Sequence, residues 1–231
     1  VNEEEAKQWA KDKTNQNKAV GLFFKKNRPE KSNYAIFMAG IPGAGKTEFT
    51  ENTIRESPGL ISIEHDQLVE YIDGYTPESY YNYRKAGSVL ATRIFDECLR
   101  NGYPFVFDGT LSHENGIKNI NKCLKQGYDV LVIYIVQDTK MAWELTRARE
   151  LVKRRAIEKI GFIDTCNKIN ANLLSIFKTH KGNSHFSFWV INKQGQAGMQ
   201  GATAVMHDRT LDMSAEIEKA LKFTYNVDEI R

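Results

Sequence analysis

Cysteine is scarce in this chain of 231 residues: three occur, Cys98, Cys123 and Cys166, an odd number at wide spacing with no C-x-x-C pair. That supply builds neither a disulfide framework nor a zinc site, and it suits a reducing compartment. Long apolar runs are missing as well. None approaches the roughly 20 uncharged residues that span a bilayer, and the polar opening Val1-Asn2-Glu3-Glu4-Glu5 is not a signal peptide. Nor is there an excess of one charge: 32 basic and 29 acidic residues leave a formal +3, too slight to imply a nucleic-acid partner on electrostatic grounds. These absences read as a soluble protein of the cytoplasm with no membrane partner. What is present, 41% hydrophobic and 26% charged residues, is the make-up of an ordinary globular domain. A chain this long buries roughly 70–75% of its unfolded surface and needs no metal or disulfide staple.

Five short apolar runs punctuate the sequence: Tyr34–Ala39, Leu60–Ile63, Tyr103–Phe107, Val130–Ile135 and Phe186–Ile191. Near-continuous apolar runs suit strands covered on both faces, as in a parallel sheet. Between them lie longer polar segments of helical period, such as Ser88–Leu99 and Lys140–Lys153. Strand and helix in alternation predict an α/β domain with a mostly parallel sheet of about five strands. Ahead of it, residues 2 to about 20 carry Ala6, Trp9 and Ala10 at helical spacing, which predicts one amphipathic helix. A basic connector follows around Lys25–Pro29. The expected organisation is therefore a helical leader over 1–33 and one domain over 34–231. The stretch Lys193–Gly201 has the composition of a loop.

Directly after the first run stands Gly40-Ile41-Pro42-Gly43-Ala44-Gly45-Lys46-Thr47, which matches G-x-x-x-x-G-K-[ST]. Glycines let such a backbone curl so that successive N–H groups point at phosphate oxygens. The helix behind it offers its positive N-terminus to the same anion. Lys46 is placed to reach the β- and γ-phosphates, and the Thr47 hydroxyl to take Mg²⁺. The residues on either side have the strand and helix patterns this motif requires, so nucleotide binding is the reading. Guanine is disfavoured, because Asn192-Lys193-Gln194-Gly195 has Gly195 where the N-K-x-D pattern carries its carboxylate. No D-x-x-G element follows a strand, which leaves a small-molecule kinase as the better fit.

Two aspartates sit at the ends of predicted strands, where open α/β sheets bind ligands. Asp66 follows Leu60–Ile63, and Asp108 closes Phe105-Val106-Phe107 ahead of Gly109-Thr110. Phosphoryl transfer calls for a carboxylate beside the acceptor hydroxyl and for acidic groups near the metal. Further on, Arg149 and Arg155 fall on a basic helical segment. Six residues apart, they point to different sides of a continuous helix, so spacing alone favours a solvated face carrying Glu144, Arg147 and Glu150. A bend near Lys153 would bring both arginines to one side.

Four segments together resemble the zeta toxins of bacterial toxin–antitoxin systems: F-M-A-G-I-P-G-A-G-K-T (Phe37–Thr47), H-D-Q-L (His65–Leu68), D-G-T-L-S (Asp108–Ser112) and A-W-E-L-T-R-A-R-E (Ala142–Glu150), followed by Arg155. The resemblance covers about residues 34–195. It implies a P-loop kinase fold and, with ATP and Mg²⁺, phosphorylation of the 3′-hydroxyl of UDP-N-acetylglucosamine or a related UDP-amino sugar. It also implies an antitoxin that keeps the enzyme silent. By the same resemblance Asp66 is the catalytic base, and Lys46 and Thr47 hold phosphates and metal. Asp108 lies near substrate and metal with Thr110 on the same turn, and Arg149 and Arg155 contact ATP phosphates. Asn192 lines the adenine pocket. Residues 1–33 resemble the leader found ahead of such P-loops.

One position departs from the family. Its members carry a substrate-binding glutamate on the helix before the D-G-T strand, where Thr92 stands here; Asp96 and Glu97, one turn on, are the candidates to replace it. Arg84 and Lys85, expected in the loop before that helix, are read either as contacts to a substrate diphosphate or as a solvated basic turn. Two alternatives stay open at this stage. One is a nucleoside or polynucleotide kinase on the same fold; the other is a regulatory module that binds ATP without turning it over.

Overall fold

The structure, a computed structural model, describes every residue except 58, 154–156, 194, 197 and 231, and describes no side chain at 53–56 or 153. Helices α1 (Glu3–Lys11) and α2 (Lys13–Asn27) precede β1 (Tyr34–Ala39) and α3 (Lys46–Glu56). Then come β2 (Ile61–Glu64), the single turn α4 (His65–Leu68), α5 (Tyr80–Asn101) and β3 (Phe105–Asp108). The remainder is α6 (Glu114–Lys125), β4 (Asp129–Val136), α7 (Thr139–Lys153), α8 (Lys159–His180), β5 (Phe186–Asn192), β6 (Thr203–His207) and α9 (Ser214–Ala220). The strands form one sheet in the order β2-β3-β1-β4-β5-β6. Among the described residues no helix is long and apolar enough to cross a membrane.

The five expected runs all form strands, and each carries the buried residues its composition demands. β4, for instance, is buried at every position after Asp129. The sixth strand is a correction. β6 pairs antiparallel with β5, from Phe188↔His207 to Asn192↔Thr203, and only His207 of its five residues is buried. An edge strand covered so lightly has no apolar run to announce it.

The chain divides into two compact units, Val1–Tyr34 with Thr53–Asp108, and Ala35–Asn52 with Gly109–Arg231. In the first, β2 and β3 run parallel, Ile61 beside Phe105 and Glu64 beside Asp108. Phe95 of α5 meets the rings of Phe105 and Phe107 edge-on at 5.5 and 5.8 Å. The predicted single leader helix is two helices. Asp12, with ψ of 127°, ends α1 and caps α2, its carboxylate accepting from the N–H groups of Thr14 and Asn15 at 3.0 Å. An aspartate that satisfies orphan donors this way starts a new helix. The basic connector is also partly helical, because Lys25, Lys26 and Asn27 close α2.

In the second unit, β4 and β5 run parallel from Val130↔Phe186 to Val136↔Asn192. Behind them the Tyr134 hydroxyl donates to Asn170 Oδ1 at 2.5 Å and lies 2.8 Å from the Tyr225 hydroxyl, while Asn170 Nδ2 donates to the Phe223 carbonyl at 2.6 Å. This buried polar group ties the C-terminal residues to β4 and α8.

Candidate active site

The phosphate-loop sequence leaves β1 at Ala39 and enters α3 at Lys46. Ala44 N–H closes a turn onto the Ile41 carbonyl at 3.1 Å, and Phe49 N–H reaches back to Gly45 at 3.2 Å as the first turn of α3. Ile41 and Ala44 are fully buried, so the loop is anchored by its own small apolar side chains. The Lys46 ammonium donates to the carbonyls of Gly40 at 2.8 Å and Ile41 at 3.0 Å. Its charge is thus folded back over the mouth of the loop.

Helix α7 backs the loop closely. A Cβ on Gly43 would lie 2.0 Å from the Ala142 carbonyl and 2.7 Å from Thr146 Oγ1. Ala142, Thr146 and Arg149 are spaced i, i+4, i+7 and share a face of the helix. Arg149 is therefore one turn along the same face that meets the loop, and it is exposed. Arg147 points elsewhere, to Glu150 and to the Trp143 ring at 5.9 Å. Arg155 lies outside the described residues.

Beside the ends of β4 and β5 opens a cavity of about 760 Å³, whose wall includes Val136, Asp138, Asn192, Gly195, Val205 and Tyr225. A volume of that order accommodates a nucleoside-sized ligand. Asn192, the predicted adenine-side residue, is on this wall. The turn after β5 is pinned where it stands: Lys193 N–H donates to the Val136 carbonyl at 3.0 Å, and the buried Gln137 amide donates to the Gln196 carbonyl at 2.7 Å.

The first unit gathers the acidic residues. Because β2 and β3 are parallel with Glu64 beside Asp108, their carboxyl ends lie side by side. Asp66 sits in the turn of α4 just beyond β2, half-buried, and accepts a short hydrogen bond from the Tyr80 hydroxyl at the start of α5. His65 directly precedes Asp66 and feels the charges of both Asp66 and Asp108. Burial pushes its imidazolium below the usual range, while the charges of Asp66 and Asp108 pull it part of the way back. Its ring meets Phe107 edge-on at 5.6 Å. The sequence alone gives neither His65 nor Tyr80 a role. A tyrosine fourteen positions downstream carries no signal of such a contact, because only the packing of α5 against α4 creates it.

In the second unit the segment after Asp108 makes a tight turn, with Leu111 at φ 54° and the hydroxyls of Thr110 and Ser112 2.7 Å apart. Arg84 and Lys85 belong to α5 rather than to a preceding loop, since helix formation begins already at Tyr80. Glu3 of α1 pairs with both, at 2.7 Å to Lys85 and 3.5 Å to Arg84, and the Arg84 guanidinium also lies 5.7 Å from the centre of the Tyr81 ring. Thr92 is exposed on α5 with its hydroxyl donating to the Ser88 carbonyl at 3.0 Å. Glu97 is engaged by Arg93 at 2.6 Å and Arg100 at 2.8 Å. Asp96 is half-buried on the same helix. Among the described residues no group of three or more His, Cys, Asp or Glu could hold a metal ion by itself.

The family described as Zeta toxin matches residues 22–199, well over half of the chain. No curated protein matches it. Among solved structures, one described as from the PezAT chromosomal toxin–antitoxin system of Streptococcus pneumoniae is 15% identical with a TM-score of 0.67, and the match covers 94% of this chain and 92% of that one. Another, of AvrRxo1-ORF1:-ORF2 with ATP, is 13% identical with a TM-score of 0.62 over 96% of this chain and 72% of that one. At such identities the likeness is one of fold, and it agrees with the α/β P-loop kinase architecture expected from the sequence.

Proposed function

The chain belongs to the zeta toxin family, a family of ATP-using kinase-type toxins, and from that premise we propose that it transfers the γ-phosphate of ATP to a hydroxyl of a UDP-amino sugar such as UDP-N-acetylglucosamine. The observation that carries the reading is the phosphate loop, with Lys46 bent over its mouth on the carbonyls of Gly40 and Ile41. Those two carbonyls are weaker partners than phosphate oxygens, so a triphosphate would draw the ammonium to itself. The backbone from Gly40 through Pro42, Gly43, Ala44 and Gly45 would supply N–H donors, and the adenine would take the cavity beside Asn192.

Magnesium would be carried chiefly by the triphosphate, with the Thr47 hydroxyl and Asp108 as protein partners. This donor set suits an ion that keeps several waters and one or two protein ligands. When bound, it neutralises charge on the transferring phosphate. Asp66 would accept the proton of the sugar hydroxyl, its carboxylate held in orientation by the Tyr80 hydroxyl. Arg149, and Arg155 with it, would offset the charge that spreads over the transferring group; an arginine in that role is worth roughly 10³–10⁵ in rate. Thr110 would lie on the substrate's side of its turn. For Arg84 to meet a substrate diphosphate it would have to exchange its contact with Glu3. A protein antitoxin is the expected partner.

The purified chain with ATP, Mg²⁺ and a panel of UDP-sugars, nucleosides and oligonucleotides, read by mass spectrometry, tests the substrate. Phosphate added only to UDP-amino sugars supports the proposal, and labelled nucleosides or oligonucleotide ends would replace it. Asp66→Asn should keep ATP affinity and lose about 10²–10⁴ in kcat. Full turnover in that variant would remove Asp66 as the base and point to an ATP-binding module that acts otherwise.

A further inference from the structure

Lys193 is wholly buried, at 0% exposure. It is the second residue of the near-match to the guanine pattern that the missing carboxylate at Gly195 ruled out, so the reading above leaves it without a task. Its backbone is fixed to the end of β4, by its N–H on the Val136 carbonyl at 3.0 Å and by the Gln196 N–H on its own carbonyl at 3.0 Å. From there the side chain runs under the phosphate loop. Its ammonium donates to the Ala44 carbonyl at 3.3 Å. It lies 2.7 Å from where a Cβ on Gly45 would stand, and Glu48 Oε2 lies 3.5 Å from the same point.

Gly45 therefore has two reasons to be glycine. Its φ of 92° is in the left-handed region, and the space beside it belongs to an ammonium group. Burying a cation is costly unless oxygen atoms meet it. Desolvation accordingly draws the Lys193 ammonium below the usual lysine range, and the Glu48 carboxylate opposes that change. Glu48 itself stands in the first turn of α3, the turn that would receive the phosphates. A carboxylate there repels an anion, and a cation placed beside it cancels that repulsion.

We propose that Lys193 is a positioning residue for the phosphate loop: bonded to the Ala44 carbonyl and set against Glu48, it holds the loop open for phosphate and offsets the carboxylate beside the phosphate-binding turn. It rests on the nucleotide reading above and assigns no contact between Lys193 and the sugar substrate.

The test compares the full chain with Lys193→Met, Lys193→Arg, and Lys193→Met combined with Glu48→Gln. Three probes are titrated calorimetrically: ATP, tripolyphosphate and adenosine. Melting temperatures and circular dichroism are recorded alongside. Lys193→Met should weaken ATP and tripolyphosphate roughly tenfold or more and leave adenosine unchanged. Adding Glu48→Gln should recover part of the loss, because the uncompensated carboxylate is gone. Lys193→Arg keeps the charge and should fall between wild type and Met. Unchanged ATP affinity in Lys193→Met overturns the inference while leaving the kinase reading intact. A parallel loss for adenosine, or a loss that Glu48→Gln does not relieve, overturns it too, because the lysine would then be supporting the fold and not the phosphates. A wild-type chain that bound neither ATP nor tripolyphosphate would overturn both readings.

Discussion

A half-buried histidine shows how far single side chains in this protein answer to their surroundings. His180, the last residue of α8, lies against the Phe186 ring at 5.4 Å, and its Nε2 finds no hydrogen-bond partner among the described residues. Burial pushes its imidazolium below the ordinary 6.5. As pH falls past that value the unfolded chain takes up the proton before the folded one does. Stability from this residue is therefore full above about pH 6.5 and declines as pH drops toward the depressed native value. Denaturant titrations across that window should show the decline in wild type and a flatter profile in His180→Phe; identical profiles would mean that another group governs the slope. The same logic separates the residues that could be read from sequence from those that could not. Lys46 and Thr47 declare themselves by position within a motif whose backbone makes the site. His65 and Tyr80 do not, because a histidine or tyrosine acquires a role only from what is packed beside it.

Elements were legible where burial writes a period into the chain. Helix α5 buries Tyr83, Ala86, Gly87, Leu90, Ala91, Ile94, Phe95, Cys98 and Leu99, a stripe that follows the helical repeat. Its start was less visible, since the first turns of α5 carry Arg84 and Lys85 on an exposed surface, which looks the same in a loop. The contact that matters most on this helix is a missing side chain. A Cβ on Gly87 would stand 2.7 Å from the His65 carbonyl and 2.9 Å from Val69 Cγ1. The glycine thus lets α5 lie directly against the turn that carries Asp66. Gly87→Ala improves helix propensity by about 1 kcal/mol but forces the two elements apart, at a cost of about 1–3 kcal/mol. The expected result is a net loss of stability together with a fall in kcat, ATP affinity being kept. A variant as stable and as active as wild type would show that α4 can shift without consequence. The leader illustrates the opposite case. Its periodicity was correct for helix, yet Asp12 divided it, because capping two amide groups outweighs the continuation of one helix.

At the scale of the whole molecule, the C-terminal residues are secured by hydrogen bonds that no local pattern anticipates. Tyr134, Asn170, Phe223 and Tyr225 meet from positions far apart in the chain, with the Tyr134 and Tyr225 hydroxyls both buried. Burial pushes the Tyr134 hydroxyl well above its usual range, with the neighbouring Tyr225 hydroxyl adding to the effect; both stay protonated and able to donate. Tyr134→Phe removes the hydroxyl these partners share and leaves the Asn170 carbonyl oxygen without its donor. The expected cost is about 1–3 kcal/mol in denaturant unfolding, with weaker ATP binding because Tyr225 is on the wall of the proposed adenine cavity. A loss of stability without any change in ATP affinity would separate that cavity from nucleotide binding.

The amino-acid order by itself determined the alternation of strand and helix, the phosphate loop and the family, since apolar period and glycine spacing act over a few residues and survive in the linear text. Which residues of distant segments come together was decided only by the tertiary structure. The sixth strand, the Tyr80 contact to Asp66, the glycine gap beneath α4 and the lysine buried under the loop all arise from packing. Packing energy depends on what lies within a few ångströms, whatever the distance along the chain.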